Sequence, residues 1–291
     1  MSVLPLSFGS RPPRTAQQAS ARIDGLAPYP FWVHGPGRDQ FISQEILSTG
    51  VWESFETEVV KRLLGQTKLF IDLGANIGWY TALAQRVMSP DSEIHAFEPD
   101  RENFRLLKTN TAKTRGAKLH LRNMAVGDHQ GEVELFKSAT NLGDHRLSKL
   151  ASGQSSVRVP MTTLDAYFAG RTLGPLLAKI DTQGSEGKIL RGAANILSPA
   201  RPDDAFVIEF WPKGLSDSGE RIGEFARTLS KFGQRPFILQ SQERRLIPTS
   251  WPDLARRAKT DLHPRREYFL DILMAAPNSQ AFAAIADLIQ G

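Results

Sequence analysis

From residue 67 to residue 232, short apolar runs alternate with stretches in which apolar residues recur every three or four positions. The first pattern marks buried strands and the second amphipathic helices. Residues 68–73, 93–98, 119–126, 176–180 and 205–210 read as strands. Helices are expected at 78–88, at 100–111, through Ile189, Leu190 and Ile196, and from about 218 to 232, where Gly233 supplies a stop. Wholly apolar strands alternating with helices imply a parallel sheet covered on both faces. After residue 233 the rhythm changes. Residues 236–240 and 268–275 are strand-like and joined by an irregular basic segment without a strong crossover helix. Antiparallel pairing needs no crossover, so an antiparallel strand is expected to close one edge. The expected fold class is α/β, with a mostly parallel seven-stranded sheet, an antiparallel edge strand and helices on both faces.

The flanking patterns suggest further divisions. Residues 1–25, rich in Pro, Ser, Arg and Ala, show no apolar period and read as a disordered tail. Residues 26–66 carry six aromatics from Tyr29 to Phe55, then a helical spacing through Phe55, Val59, Arg62 and Leu63. They read as an N-terminal cap on the main domain, residues 67–276. Residues 277–291 suggest a small apolar terminal helix, with Ser279 as its cap. One stretch interrupts the main domain. Residues 131–160 hold two strand-like runs, 132–136 and 156–160, around a polar segment with Asn141, Asp144, His145 and Arg146. Long insertions at the carboxyl edge of a sheet are where loops build function.

Composition narrows the classes. The 291 residues include no cysteine, which removes disulfides and thiolate metal ligands. No run of eighteen apolar residues occurs, and no compact apolar core accompanies Arg11 and Arg14. Neither a membrane span nor a secretory signal is therefore expected, and the expected location is cytoplasmic. The formal charge is +5 and unevenly spread. Residues 244–266 hold Arg244, Arg245, Arg256, Arg257, Lys259, Arg265 and Arg266 against Asp253 and Asp261. Such a cluster suits an anionic acceptor, peripheral contact with a membrane, or nucleic acid; it also fits a solvated face.

The chemistry concentrates at two strand ends. In an open α/β sheet, ligands bind beyond the carboxyl ends of the strands where strand order reverses. Asp72-Leu-Gly-Ala-Asn-Ile-Gly78 sits at such an end. Gly74 allows a sharp turn and close approach of a ligand, and Gly78 opens the next helix. Dinucleotide loops need glycine at the first, third and sixth positions, and here the third is Asn76. Asp72 repels a pyrophosphate but suits the ammonium of an amino acid. Glu98 ends the second strand, where a carboxylate accepts hydrogen bonds from ribose hydroxyls.

In this order and spacing the segments resemble FkbM-type methyltransferases, within the class of S-adenosylmethionine-dependent enzymes. The resemblance rests on residues 71–78, Ala96-Phe-Glu-Pro-Asp100, Ala125-Val-Gly-Asp128 and Lys179-Ile-Asp-Thr-Gln-Gly-Ser-Glu186, continued by Ile189-Leu-Arg-Gly-Ala193. Residues 159–165 and 207–210 also fit, and the match spans roughly 50–275. It implies a Rossmann-like class I fold and S-adenosyl-L-methionine as cofactor. It also implies that Asp72, Gly74, Ala75, Asn76 and Gly78 surround the methionine part, Glu98 holds the ribose, and Ala125 and Val126, with Asn123 nearby, line the adenine pocket. Asp181 is placed near the transferring methyl. Gln183 stands where many relatives carry an acid.

Methyl transfer from a sulfonium is an in-line displacement, so the protein aligns the reactants and removes the acceptor's proton. Asp181, His145, Glu209 and Asp144 are candidate bases, with Asp181 best located. Glu56 and Trp52 are candidates to close over the cofactor. No feature demands a metal, and none is expected. The leading expectation is O-methylation of a small molecule, glycan or secondary metabolite, with an anionic acceptor suggested by the basic cluster. Two alternatives stay open. Nucleic-acid methylation lacks its usual Asn/Asp-Pro-Pro-aromatic run, since the fourth strand ends in Asp181-Thr-Gln-Gly184. A cofactor-binding protein without catalysis fits the absence of one obvious base.

Overall fold

The computed structural model describes residues 12–112, 116–138, 141–149, 154–198, 200–260, 262–263 and 268–290. Strands β1 (Gln17–Ala21) and β2 (Tyr29–Val33) form an antiparallel ribbon, followed by helices α1 (Ile42–Thr49) and α2 (Ser54–Leu64). The main domain opens with β3 (Leu69–Leu73), α3 (Trp79–Val87), β4 (Glu93–Phe97), α4 (Arg101–Thr111) and β5 (Lys118–Arg122). Next come β6 (Ala125–Val126), β7 (Gly131–Phe136), β8 (Ser156–Thr162) and α5 (Leu164–Tyr167). The second half holds β9 (Leu176–Ile180), α6 (Glu186–Arg191), α7 (Ala194–Leu197), β10 (Ala205–Phe210), α8 (Pro212–Asp217) and α9 (Ile222–Ser230). The chain finishes with β11 (Arg235–Gln240), β12 (Arg245–Pro248), α10 (Trp251–Arg257), β13 (Leu270–Ala275) and α11 (Gln280–Ala283).

Eight strands pair in the order β12-β11-β13-β10-β9-β3-β4-β5. The β10, β9, β3, β4 and β5 neighbours are parallel. Every residue of β3, β9 and β10 is buried, as strands covered on both faces must be. Alternate side chains enter two cores. Phe70, Leu177, Val207 and Leu273 pack with α2, α3 and the N-terminal ribbon. Ile71, Ala178, Ile208 and Ile272 pack with α6, α9 and α10 on the other face. The order reverses at β3, which has β4 on one side and β9 on the other. The carboxyl ends of β3 and β9 are thus the switch point where a ligand crevice forms.

Several expectations change. The sheet has eight strands rather than seven, and β13 lies inside it, antiparallel to both β10 and β11. The edge strand is β12, antiparallel to β11; with α10 it occupies part of the basic segment expected to be irregular. The single strand expected over 119–126 breaks at Asn123, and β6 leaves to join β8 in a separate three-stranded sheet with β7. The helix expected from about 218 starts later, as α9 at Ile222, and a separate helix not foreseen, α8, precedes it. The expected disordered tail gives way to structure by Gln17, where Ala19, Ala21 and Ile23 bury against the main core. Alternating small apolar residues in a five-residue run carry too little signal for a periodicity reading. Residues 1–11 of that tail lie outside the described residues, as do Arg265 and Arg266 of the basic segment. Ser279 caps α11 as expected, accepting from the Phe282 amide at 2.9 Å.

Candidate active site

The turn after β3 is shaped by close approach of two strands. Gly74 has φ +84°, and a Cβ there would meet the Asp181 carbonyl oxygen at 1.9 Å. Only glycine satisfies both the torsion and the space. Asn76 follows at φ +50°, its Oδ1 accepting the Ile77 amide at 2.6 Å. Asparagine tolerates this region because its side chain bonds locally. Gly78, at φ +88°, packs against Leu107 of α4.

Two cavities meet at this turn. The inner one is a slot of about 50 Å³ between the ends of β3, β4 and β9 and the 141–147 segment. Phe97, Ala125, Val126, Leu142 and Leu147 give it apolar walls, and Glu98 lies in it. The buried Glu98 carboxylate accepts the Asn76 amide at 2.8 Å and the Asp100 amide at 2.7 Å. Burial pushes its pKa up to about 8, against those amides. Asn123 donates to the Glu98 and Pro99 carbonyls at 2.8 and 3.0 Å and so fixes the tip of β4. Leu142 covers the slot. Its carbonyl accepts from Asn103 Nδ2 at 2.9 Å, and its side chain is buried.

The outer cavity, about 520 Å³, opens on the other side of Gly74 and Asn76. Trp52, Trp79, Tyr80 and Trp211 wall it, with Phe41 and Phe269 half-exposed at 53% and 51%. Its floor is an ionic cluster around one buried lysine. Lys179 lies 3.1 Å from Asp181 Oδ2, 3.0 Å from Glu56 Oε1 and 4.8 Å from the centre of the Tyr80 ring. Burial lowers its pKa, but Asp181, Glu56 and Glu53 outweigh this and hold it well above the usual lysine value. Gln183 Nε2 donates to Asp181 Oδ1 at 2.9 Å and to Glu209 Oε1 at 3.1 Å. Glu53 accepts from the Tyr80 hydroxyl at 2.8 Å, and burial pushes its pKa up to about 8. Four described residues other than glycine have positive φ, and three of them, Glu53, Asn76 and Gln183, line this cavity. Backbone strain of this kind clusters at ligand sites.

The structure sorts the expected site residues by wall. Gly74, Asn76 and Asp181 line both cavities; Glu98, Ala125, Val126 and His145 line the inner one; Ala75 and Glu209 line the outer one. Asp72 and Gly78 line neither. The Asp72 carboxylate is buried and accepts from Thr81 Oγ1 at 2.5 Å, tying the turn to α3. His145 is buried, where its Nδ1 accepts the Ser138 amide at 3.1 Å and Nε2 lies 3.9 Å from Asp100. Burial lowers its pKa below the usual histidine value, against the pull of Asp100. Glu56 packs beneath Lys179, and Trp52 reaches the cavity wall. The start of α6 is held by Glu186, which accepts from the Thr182 and Gly184 amides at 2.8 and 3.2 Å, leaving Asp181 free for the cavity. Sequence reasoning gave no role to Lys179, Glu53 or Asp271. For two of them the signal was a charge inside an apolar strand, Leu-Leu-Ala-Lys-Ile and Leu-Asp-Ile-Leu-Met-Ala.

The basic segment is partly neutralised. Arg244 pairs with Glu58, Arg245 with Glu243 and Arg256 with Asp253. Among the described residues no helix is long and apolar enough to cross a membrane.

This chain belongs to the FkbM methyltransferase family. The model of the Methyltransferase FkbM domain matches residues 72–235, a span running from the β3 turn to β11 and including Glu98, Asp181 and Glu209. The hexuronic acid methyltransferase AglP of Haloferax volcanii is 26% identical over 147 residues, 49% of this chain and 58% of that protein. The chain therefore spans little more than half the length of this curated relative. Among solved structures, the O-methyltransferase TomG of Streptomyces achromogenes, in complex with SAM, aligns over 78% of this chain and 82% of its own. Identity there is 9% and the TM-score 0.38. An rRNA methylase of Streptococcus thermophilus aligns over 77% and 95%, at 7% identity and a TM-score of 0.40.

Proposed function

We propose that the protein is an S-adenosyl-L-methionine-dependent O-methyltransferase acting on a hydroxyl of a small molecule or glycan. The observation that carries this reading is the meeting of the two cavities at one carboxylate, Asp181. The inner slot has the donor set for an adenosyl group, with apolar walls for the base and Glu98 for the ribose hydroxyls. The slot is narrow, so admitting a nucleoside requires the 141–147 segment to swing outward from Asn103. Bound there, S-adenosylmethionine supplies a methyl group on a sulfonium, an electrophile that needs no further activation.

The chain's residues then have three tasks. Gly74 and Asn76, shared by both walls, set where the methionine part crosses from slot to cavity. Asp181 accepts the proton of the acceptor hydroxyl as the carbon–oxygen bond forms, a contribution of roughly 10²–10⁴-fold for a placed base. Lys179 and Gln183 hold the two oxygens of Asp181, so it does not turn away from the junction. His145 sits on the nucleoside side, beside Asp100, and is assigned to that wall rather than to proton removal. Glu209 lies farther out and belongs to acceptor binding. The relative's name, which specifies a hexuronic acid, supports a sugar-like acceptor with ring hydroxyls. Isothermal calorimetry with S-adenosylmethionine tests the first half of this reading. Micromolar binding by the wild type is expected, and none would refute it. Comparison of extracts incubated with and without the protein, read by mass gain of one methyl, tests the second.

A further inference from the structure

The outer cavity has a charge pattern that bears on which acceptor it takes. Glu209 and Asp271 are directly opposite across the antiparallel β10–β13 pair, and both line the cavity. Like charges in that relation repel when both are ionised. Glu209 is only 6% exposed, and its Oε2 has no hydrogen-bond partner, whereas Oε1 accepts from Gln183 at 3.1 Å. A buried carboxylate oxygen left unpaired is costly unless a ligand completes it. The nearest cation cannot do so, because Lys179 is already engaged by Asp181 and Glu56. Arg146, the other cation on the wall, is turned to Asp144 and lies over the Trp211 ring at 4.2 Å. Burial first, and neighbouring carboxylates next, hold both Glu209 and Asp271 well above the usual carboxylate range. Among the described residues the cavity thus carries five carboxyl groups, Glu53, Asp144, Asp181, Glu209 and Asp271, against two cations.

We infer that the acceptor presents a protonated amine to Glu209 and Asp271 while its hydroxyl meets Asp181, which makes an amino sugar or a similar amino alcohol the fitting substrate class and a uronate a poor one. This inference rests on reading the outer cavity as the acceptor site. An ammonium there completes Glu209 Oε2 and relieves the repulsion across the strand pair. A carboxylate in the same place meets acidic neighbours and, among the described residues, no unengaged cation on that wall.

Calorimetry on the full chain saturated with S-adenosylhomocysteine decides the matter, using three related probes of different charge: methyl glucosaminide, methyl glucoside and methyl glucuronide. The glucosaminide should bind at least tenfold more tightly than the glucoside, with the glucuronide weakest. Equal affinities, a preference for the glucuronide, or no binding of any probe overturns the inference. Asp271→Asn and Glu209→Gln should each reduce the preference for the amine at least threefold; retention of the full preference in both overturns it too. Binding of S-adenosylhomocysteine is measured first in every variant. Its loss in the wild type strikes at the methyltransferase reading instead, and its retention in a variant shows that the variant is folded.

Discussion

The two cavities on either side of Gly74 are built in different ways. The inner slot is built mainly from short pieces that follow the ends of parallel strands, at 73–76, 97–99, 124–126 and 181–185, with the 142–147 segment folded over them. Its key contacts are to backbone, as when Glu98 accepts two amides. The outer cavity draws Glu53 from before the sheet, Lys179 and Asp181 from β9 and the residue after it, Glu209 from β10 and Asp271 from β13. Its key contacts are between side chains, and several join separate elements, as Lys179 does with Glu56 and Gln183 with Glu209. A region fixed by backbone turns suits a ligand common to a family, and one fixed by remote side chains suits a ligand that varies.

Experiments can press on this contrast, beginning where the two cavities share a residue. Gly74→Ala should cost more than about 3 kcal/mol of stability, from the Cβ clash with the Asp181 carbonyl and the positive φ. A melting temperature within a few degrees of wild type would show that the turn yields more readily than its geometry implies. Asp181→Asn should lower turnover by at least about 100-fold, as loss of a general base does, while leaving cofactor affinity within about threefold. Parallel loss of cofactor binding in calorimetry would move Asp181 to the inner side of the contrast. Glu98→Ala should do the reverse. Losing charge-assisted hydrogen bonds worth about 1.5–3 kcal/mol weakens S-adenosylmethionine roughly 10- to 100-fold. Unchanged affinity would remove Glu98 from the ribose.

A smaller effect concerns pH. In the cofactor-free protein, burial raises Glu98 to about 8 and Asp72 to about 6, each above its ordinary value. A carboxyl whose folded pKa is raised contributes stability that is complete below its unfolded pKa and is lost as pH rises through the folded one. The Glu98 contribution therefore fades between about pH 4.5 and 8, and that of Asp72 between about 3.8 and 6. Thermal melts should fall by several degrees from pH 6 to pH 8, with a shallower fall in Glu98→Gln. A rise with pH over that range contradicts the assignment. The smallest effect is expected outside both cavities. Arg256→Ala breaks an exposed pair with Asp253 and should change stability by less than about 0.5 kcal/mol. A drop in turnover of more than about threefold would bring the basic segment into acceptor binding.

The inner slot was legible from the chain because its residues act through local rules. Asn76 in the third loop position argued against a dinucleotide, and the structure holds that residue at positive φ with its side chain bonded to the next amide. Glu98 at a strand tip reads the same in both descriptions. Other features were hidden. Asp72 appeared suited to a ligand's ammonium, yet it is buried against Thr81, because burial is a property of the packed helix and not of the loop. His145 appeared to belong to a polar insert, yet that insert folds back over the slot and buries the imidazole.

By itself, then, the sequence determined the alternation of strands and helices, the turn at Gly74, the carboxylate ending the second strand and the family to which these belong. Each depends on residues within a few positions of one another, where backbone torsion and periodicity act. Only the tertiary structure decided that β13 inserts between β10 and β11, and that insertion sets Asp271 opposite Glu209. It alone gathered Glu53, Glu56 and Asp181 about Lys179. Glu53 and Glu56 lie more than a hundred residues before Lys179, and Asp271 lies far along the chain from Glu209; the packing of distant elements, which no local preference encodes, brings them together.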